Sequence, residues 1–145
     1  PEPPRGAPTV IVVTPHNDQV RSEIADGFAR WQQLWTAMRQ LADSGAAAAR
    51  AGKRVGVFGA GMTAATWLVH SQLHDAPIIG LFDESPYKIG RTLFDRSIFP
   101  LAEIRQHHLD LVLMATMPNS QALVQRKLAA ACEPHTEIRG FGFTA

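Results

Sequence analysis

The sequence predicts an α/β fold in which helices cover a parallel β-sheet. Short apolar runs alternate with helical patterns from residue 54 to the end of the chain. Residues 110–116 (DLVLMAT) are almost continuously apolar, as in a strand that is buried on both faces. With right-handed crossovers, five strands take the order 3-2-1-4-5, which is a Rossmann-like doubly wound sheet. An N-terminal strand and a long helix precede it.

The chain divides by composition into three parts. Residues 1–8 (PEPPRGAP) have the proline-rich composition of a linker. Residues 9–52 contain a predicted β-branched strand at 9–14 and an amphipathic helix at 19–44. Residues 45–51 either continue this helix or fray, and Gly52 ends it. Residues 53–145 form the predicted Rossmann-like core.

The predicted helix carries an unusually large apolar stripe. Its members recur in steps of three and four: Val20, Ile24, Phe28, Trp31, Trp35, Met38 and Ala42. A stripe with two Trp and one Phe has to be buried. It packs either on its own domain or against a second copy of the chain, so the sequence leaves both core packing and a homodimer open.

Within the core, apolar runs predict strands at 54–58, 78–82, 97–99, 110–116 and 136–141. Helical patterns occupy 62–73, 102–107 and 121–132, and a loop covers most of 86–100. In a parallel sheet of this order, ligands bind beyond the carboxyl ends of the strands, between the first and fourth. The sequence therefore places a crevice there.

Composition excludes several classes of partner. The net charge is only +1, from 14 Lys and Arg against 13 Asp and Glu, so neither nucleic acid nor an anionic membrane is an expected partner. No apolar run has the length of a membrane helix, and the first residues given lack the apolar stretch of a signal peptide. Cys132 is the single cysteine, which suits a cytoplasmic protein. The chain begins with Pro rather than Met, as an excised piece of a longer protein would, with a catalytic domain upstream.

A glycine-containing turn follows the first core strand. The residues after Phe58 match the G-x-G-x-x-[G/A] pattern, with Ala64 in the third small position. Such a pattern lets the chain turn sharply, lets a phosphate approach the backbone, and packs the helix closely on the sheet. The helix start favours an anion. The residues predicted to bind phosphate are Gly59, Ala60, Gly61, Met62 and Thr63.

Two polar residues are predicted to complete a small-molecule site. Asp83 ends the second strand 22 residues after Gly61, near the spacing at which an acid meets the ribose hydroxyls of a nucleotide. Asn119 follows the fourth strand and either bonds a ligand or caps the next helix. The pattern does not distinguish NAD, a nucleotide-sugar and S-adenosylmethionine as the ligand.

No catalytic residue and no metal site are predicted. His70 and His74 have i, i+4 spacing but lack the Glu of a zincin motif and a third ligand. There is no G-x-S-x-G elbow and no P-loop lysine. Whether the chain is an enzyme is therefore left open by its sequence.

Several segments resemble the C-terminal Rossmann-like domain of S-adenosylmethionine-dependent sugar C-methyltransferases. They are Gly52-Lys53-Arg54-Val55, Gly59-Ala60, and Asp83 with Ser85-Pro86-Tyr87-Lys88-Ile89-Gly90-Arg91. The likeness covers residues 28–141. Rossmann modules of bacterial nucleotide-sugar modifying enzymes, which serve polysaccharide biosynthesis, are similar too.

The resemblance implies a fold and a site more than an activity. Lys88 and Arg91 would neutralise phosphates; otherwise they are solvated loop charges that pair with Glu84 or Asp95. Met62-Thr63-Ala64 stands where the family has Lys-Gly-Asn, and Met117-Pro118-Asn119 where it has Trp-Asn. Three functions follow: an auxiliary nucleotide-binding module of a sugar-modifying protein, the C-terminal part of a methyltransferase or NAD-dependent nucleotide-sugar enzyme, or a self-associating structural module with a vestigial site.

Overall fold

A computed structural model of the chain describes residues 18–141 together with Gly6. The chain forms two compact units, residues 1–32 and residues 33–145. The predicted strand at 9–14 and the predicted linker, apart from Gly6, lie outside the described residues. Among the helices of the described part, none combines the length and the apolar character needed to cross a membrane.

The second unit contains a six-stranded sheet. Its strands are β1 Val55–Phe58, β2 Gly80–Asp83, β3 Thr92–Leu93, β4 Arg96–Pro100, β5 Leu111–Met114 and β6 Glu137–Arg139. They lie in the order β3-β4-β2-β1-β5-β6. All neighbours are parallel except β3 and β4. The α/β class is confirmed, and the five predicted strands have the predicted order. The prediction of a loop at residues 92–93 is wrong, because β3 adds an antiparallel edge there.

The strand register aligns the carboxyl ends of four strands. Phe58 of β1 stands beside Phe82 of β2 and Met114 of β5, and Asp83 stands beside Pro100 of β4. The loops after β1, β2, β4 and β5 therefore leave the sheet at one edge. This is the edge at which ligands bind in parallel α/β sheets.

Helix α1, Asp18–Arg50, extends beyond residue 44, so residues 45–50 continue the helix rather than fray, and Ala51 begins the turn that follows. From residue 33 onward its buried side chains belong to the core on one face of the sheet: Met38, Leu41, Ala42, Ala46 and Ala49. Gly45 lies so close to Leu113 of β5 that a Cβ would overlap that side chain. At the end of the helix Gly52 takes φ +90°, and its N–H donates to Ala49 O (3.1 Å).

Helix α2, Met62–His70, is shorter than the predicted 62–73. Ser71 ends it because its hydroxyl competes for backbone partners: Oγ donates to Trp67 O (2.7 Å) and accepts from Leu73 N–H (3.1 Å). A 3₁₀ turn, Gln72–Asp75, follows before β2. Helix α2 packs through Ala64, Trp67 and Leu68 into the same core as α1.

The opposite face of the sheet is covered by α3, Gln121–Ala131, and by a 3₁₀ helix, Leu101–His107. Phe82, Val112 and Leu128 are completely buried in this second core. Covering layers on both faces explain why the residues of β1 and β5 are all buried. The loops at the carboxyl edge are therefore held by a closely packed frame.

Candidate functional site

Gly59 forms the sharp turn that leaves β1. It adopts φ +100°, a conformation that L side chains rarely take, and its N–H donates to Phe82 O (2.8 Å). A Cβ at this position would lie 2.9 Å from Ala115 O, in the backbone that follows β5. Both the turn and the close approach of the two strand ends require glycine here.

Gly61 is the N-cap residue of α2 and has no side chain with which to cap the first turn. A Cβ built on Gly61 would meet only one heavy atom within 4 Å among the described residues, Lys88 Nζ at 3.9 Å. Met62 is 83% exposed, whereas Ala64 is buried against the sheet. The start of the helix is therefore open, with a lysine ammonium above it.

Asp83, at the end of β2, accepts hydrogen bonds from the glycine loop and from its own loop. Ala60 N–H donates to Oδ2 (2.8 Å) and Ser85 N–H donates to Oδ1 (2.9 Å). Burial alone raises the pKa of Asp83, but these two hydrogen bonds, the Lys88 ammonium and the N–H of Glu84 hold it below its ordinary value of 3.8. The carboxylate is therefore ionised at neutral pH.

The segment after Asp83 folds back so that Lys88 returns to the glycine loop. Lys88 N–H donates to Ser85 O (3.0 Å), and Lys88 Nζ lies 3.9 Å from Asp83 Oδ2. The expected pairing of Lys88 with Glu84 or Asp95 is not what the structure shows, because Glu84 pairs with Lys127 at 2.8 Å. Lys88 is thus directed at the predicted site.

Arg91 and Asn119 are the remaining predicted site residues, and Arg91 belongs to the Lys88 segment because its N–H donates to Lys88 O (3.1 Å). Arg91 is exposed, and its carbonyl accepts a hydrogen bond from Ile98 N–H (2.9 Å) beside β4. Asn119 is exposed within a 3₁₀ turn, Pro118–Ser120, that follows β5. The capping role expected for Asn119 is wrong, because the N-cap of α3 is Ser120 and no side chain bonds there. Among the described residues, no hydrogen bond or ion pair joins the side chain of Arg91 or Asn119 to the glycine loop.

A cavity of about 560 Å³ adjoins Asp83. Asp83 and Glu84 form its polar edge, and its other lining residues are Ile89, Pro100, Leu101, Ala102 and Ala131. A second cavity of about 420 Å³ shares Ile89 and Pro100 and is lined in addition by Arg91, Thr92, Ser97 and Glu103. These spaces lie by β2 and β4, whereas the sequence places the crevice between β1 and β5.

The sequence analysis did not predict the apolar residues that line the larger cavity. Pro100 and Leu101 come directly after a predicted strand, so their place at the carboxyl edge was foreseeable. Ala131 is 31 residues away from Pro100 and has no local signal of its own. Only the packing of α3 beside the 3₁₀ helix Leu101–His107 brings these side chains together.

Comparison with known proteins gives no family. No protein-family model matches the sequence, and no curated protein matches it. The solved structures to which the chain is similar include RSP, a Rex-family repressor (12% identity, TM-score 0.46), and RSP in complex with beta-NADH (15% identity, TM-score 0.43). Each match covers 61% of this chain, which spans about half, 52%, of the RSP chain. No match supports the resemblance to sugar C-methyltransferases specifically.

Proposed function

We propose that the chain binds a nucleotide or a nucleotide-sugar at the carboxyl edge of its sheet. The observation that carries this proposal is the position of one ionised carboxylate. Asp83 is bonded to the glycine loop through Ala60 and also lines the 560 Å³ cavity. A ligand held at Asp83 would therefore reach both the open start of α2 and an apolar space.

The phosphates of this ligand would lie at Gly59, Ala60, Gly61, Met62 and Thr63. A helix start offers unpaired N–H groups and a positive dipole end to an anion. Lys88 Nζ adds a full positive charge close to Gly61. A phosphate there would exchange the long 3.9 Å contact between Lys88 and Asp83 for a charge-assisted hydrogen bond.

The hydroxyl groups of a ribose would bond to Asp83. An ionised carboxylate offers about four acceptor positions. The N–H groups of Ala60 and Ser85 take one position on each oxygen, and the N–H of Glu84 also interacts with the carboxylate, so at most two positions remain for hydroxyl groups. Because the pKa of Asp83 is lowered, these positions stay available over the physiological range of pH.

The base would enter the larger cavity. Its volume lies within the roughly 300–1,000 Å³ of small-molecule sites in general. Ile89, Pro100, Leu101 and Ala102 give it apolar walls, which suit the faces of a planar ring. Glu84, at the polar edge, is an acceptor for an exocyclic amino group.

The narrower part of the proposal is a nucleotide-sugar ligand and an auxiliary role in a sugar-modifying protein, with residues 53–145 as the binding domain. It is motivated by the segment from Ser85 to Arg91, which carries the resemblance to sugar-modifying enzymes. Arg91, which lines the second cavity, and Asn119 are proposed as further ligand contacts. No residue is assigned to catalysis.

Calorimetric titration of the full chain tests the proposal. The ligands are NAD⁺, NADH, UDP- and dTDP-sugars and S-adenosylmethionine, with inorganic phosphate as the control for a bare anion site. At least one nucleotide is expected to bind with a Kd below about 1 mM, and phosphate more weakly, because it uses neither Asp83 nor the cavity. If no nucleotide binds at millimolar concentration, the proposal is wrong.

A further inference from the structure

The second cavity, of about 420 Å³, is lined by a cation and an anion that do not pair with each other. They are Arg91, which directly precedes β3, and Glu103, in the first turn of the 3₁₀ helix Leu101–His107. Among the described residues, neither side chain has a hydrogen bond or an ion pair. Both charges are therefore available to a ligand in this cavity.

Two hydroxyl groups lie beside these charges. Thr92 of β3 pairs with Ser97 of β4, and residues directly opposite each other in an antiparallel pair project from the same face. Both residues line the second cavity. In the part of the chain that the structure describes, neither hydroxyl group takes part in a hydrogen bond. The cavity therefore combines a guanidinium, a carboxylate and two hydroxyl groups, all without protein partners.

The backbone that carries these groups is tied to β4. Gly90 N–H donates to Ile98 O (2.9 Å), and Ile98 N–H donates to Arg91 O (2.9 Å). The apolar wall is also held in place, because Ile98 is buried and the ring of Phe99 packs on the ring of His107 with centroids 4.5 Å apart. A ligand would therefore meet a preformed space, as small-molecule sites usually are.

We infer that the second cavity binds a free α-amino acid. Such a molecule carries a carboxylate and an ammonium group at neutral pH. The carboxylate bonds to Arg91, whose forked N–H groups match its two oxygens, and the ammonium group bonds to Glu103. The amino-acid side chain lies on the apolar wall. A bare anion would be repelled by Glu103 and a bare cation by Arg91, so a ligand with both charges fits best.

This inference does not depend on nucleotide binding. The second cavity shares Ile89 and Pro100 with the larger one, but the charged residues of the two cavities are different. Arg91 is also a proposed nucleotide contact, so the amino acid and the nucleotide would compete for its guanidinium. Titration with amino acids alone needs no nucleotide, and its failure would leave the proposed function untouched.

Chemical-shift titration of the full chain with each free L-amino acid tests the inference. At least one amino acid with an uncharged side chain is expected to bind with a Kd below about 10 mM, as suits so small a ligand. Two analogues of that amino acid are compared with it: the amine that lacks the carboxylate and the acid that lacks the ammonium group. Each should bind about 10-fold more weakly or worse, because it leaves one protein charge without a partner.

Two variants test the assignment of the two charges. Arg91→Gln and Glu103→Gln should each raise the Kd of the amino acid about 10-fold or more. Arg126→Gln on α3 and Asp95→Asn between β3 and β4 remove the same charges at exposed positions outside the cavity, and should change the Kd less than about 2-fold. Arg91→Gln should leave the affinity for the amine analogue unchanged, a result that general damage to the cavity would not give.

Glucose serves as the probe for a carbohydrate site, because it offers hydroxyl groups without charge. The inference is overturned if no amino acid binds at about 50 mM, or if glucose or either analogue binds as tightly as the amino acid. It is also overturned if both Arg91→Gln and Glu103→Gln leave the affinity for the amino acid unchanged.

Discussion

The carboxylate of Asp83 accepts a 2.8 Å hydrogen bond from the backbone N–H of Ala60, which lies 23 residues earlier in the chain. This bond joins the end of β2 to the glycine loop after β1. Because the same carboxylate also accepts Ser85 N–H, one partly buried residue at the sheet edge fixes the conformation of two loops. Its removal should therefore affect both stability and ligand binding.

Asp83→Asn should reduce the free energy of unfolding by about 1–2 kcal/mol at neutral pH, because an amide offers one acceptor oxygen where the carboxylate offers two. The effect should depend on pH. The folded-state pKa of Asp83 is lowered. The ionised carboxylate therefore contributes its full stabilisation at a pH above the unfolded-state pKa, near 3.8, and this contribution is lost as the pH falls through the folded-state pKa. Urea unfolding from pH 7 down to pH 2.5 measures this.

The control for this experiment is Asp95→Asn, at an exposed position in the hairpin between β3 and β4. Its stability difference from the wild type should stay small and nearly constant over the same range. An Asp83→Asn difference that does not shrink below pH 3.8 would contradict the assignment of a lowered pKa.

Gly59→Ala should lower the free energy of unfolding by about 2–4 kcal/mol. The variant would keep a side chain at φ +100° and would press its Cβ against Ala115 O. Gly52→Ala is the matched comparison, because Gly52 takes φ +90° with open space around it and should lose only the conformational part, about 1 kcal/mol. Chemical denaturation measures both free energies of unfolding. If the two variants lose the same amount, the close approach of residue 59 to Ala115 O does not contribute to the loss.

Lys88→Ala should weaken the binding of a phosphate-containing nucleotide about 10- to 100-fold, because it removes the ammonium that lies near Gly61. Lys53→Ala removes the same charge next to the amino end of β1, at the far end of the strand from Gly59, and should change the affinity less than about 2-fold. Calorimetry with the tightest ligand of the wild type measures both. A nucleoside, which has no phosphate, should bind to the two variants with the same affinity.

Cys132 should resist thiol reagents in the folded protein. It is 3% exposed, and burial raises its pKa although Arg105 lowers it in part. Reaction with a disulfide reagent at pH 8 should be at least about 100-fold slower than in denaturant, because the thiol reacts only after local opening. A fast reaction under native conditions would show that the end of α3 opens readily.

Much of the sheet was predictable because buried strands leave continuous apolar runs. Residues 111–114 and 55–58 are such runs, and both are strands in the structure. The strand β3 was not predictable, because two residues carry no periodicity. Its turn also lacks a glycine signal: Phe94 and Asp95 take φ +46° and +63°, and turn rules allow Asp but not Phe in such a conformation.

The candidate site was predictable only where one short segment defines it. Gly59, Gly61 and Asp83 follow a known spacing, and the structure brings them together. The position of Lys88 depends on how residues 85–91 fold, which the spacing does not determine. The cavity depends on contacts between α3 and the segment after β4, so no local pattern in the chain marks it.

The 3.9 Å pair of Lys88 and Asp83 also bears on how a ligand would arrive. A cation and an anion fixed side by side at the mouth of the loop nearly cancel at distances beyond the Debye length, about 8 Å at physiological ionic strength. Glu84 and Lys127 form a second such pair nearby. The approach of a phosphate is therefore not accelerated by a long-range field, and its association rate should change little with added salt.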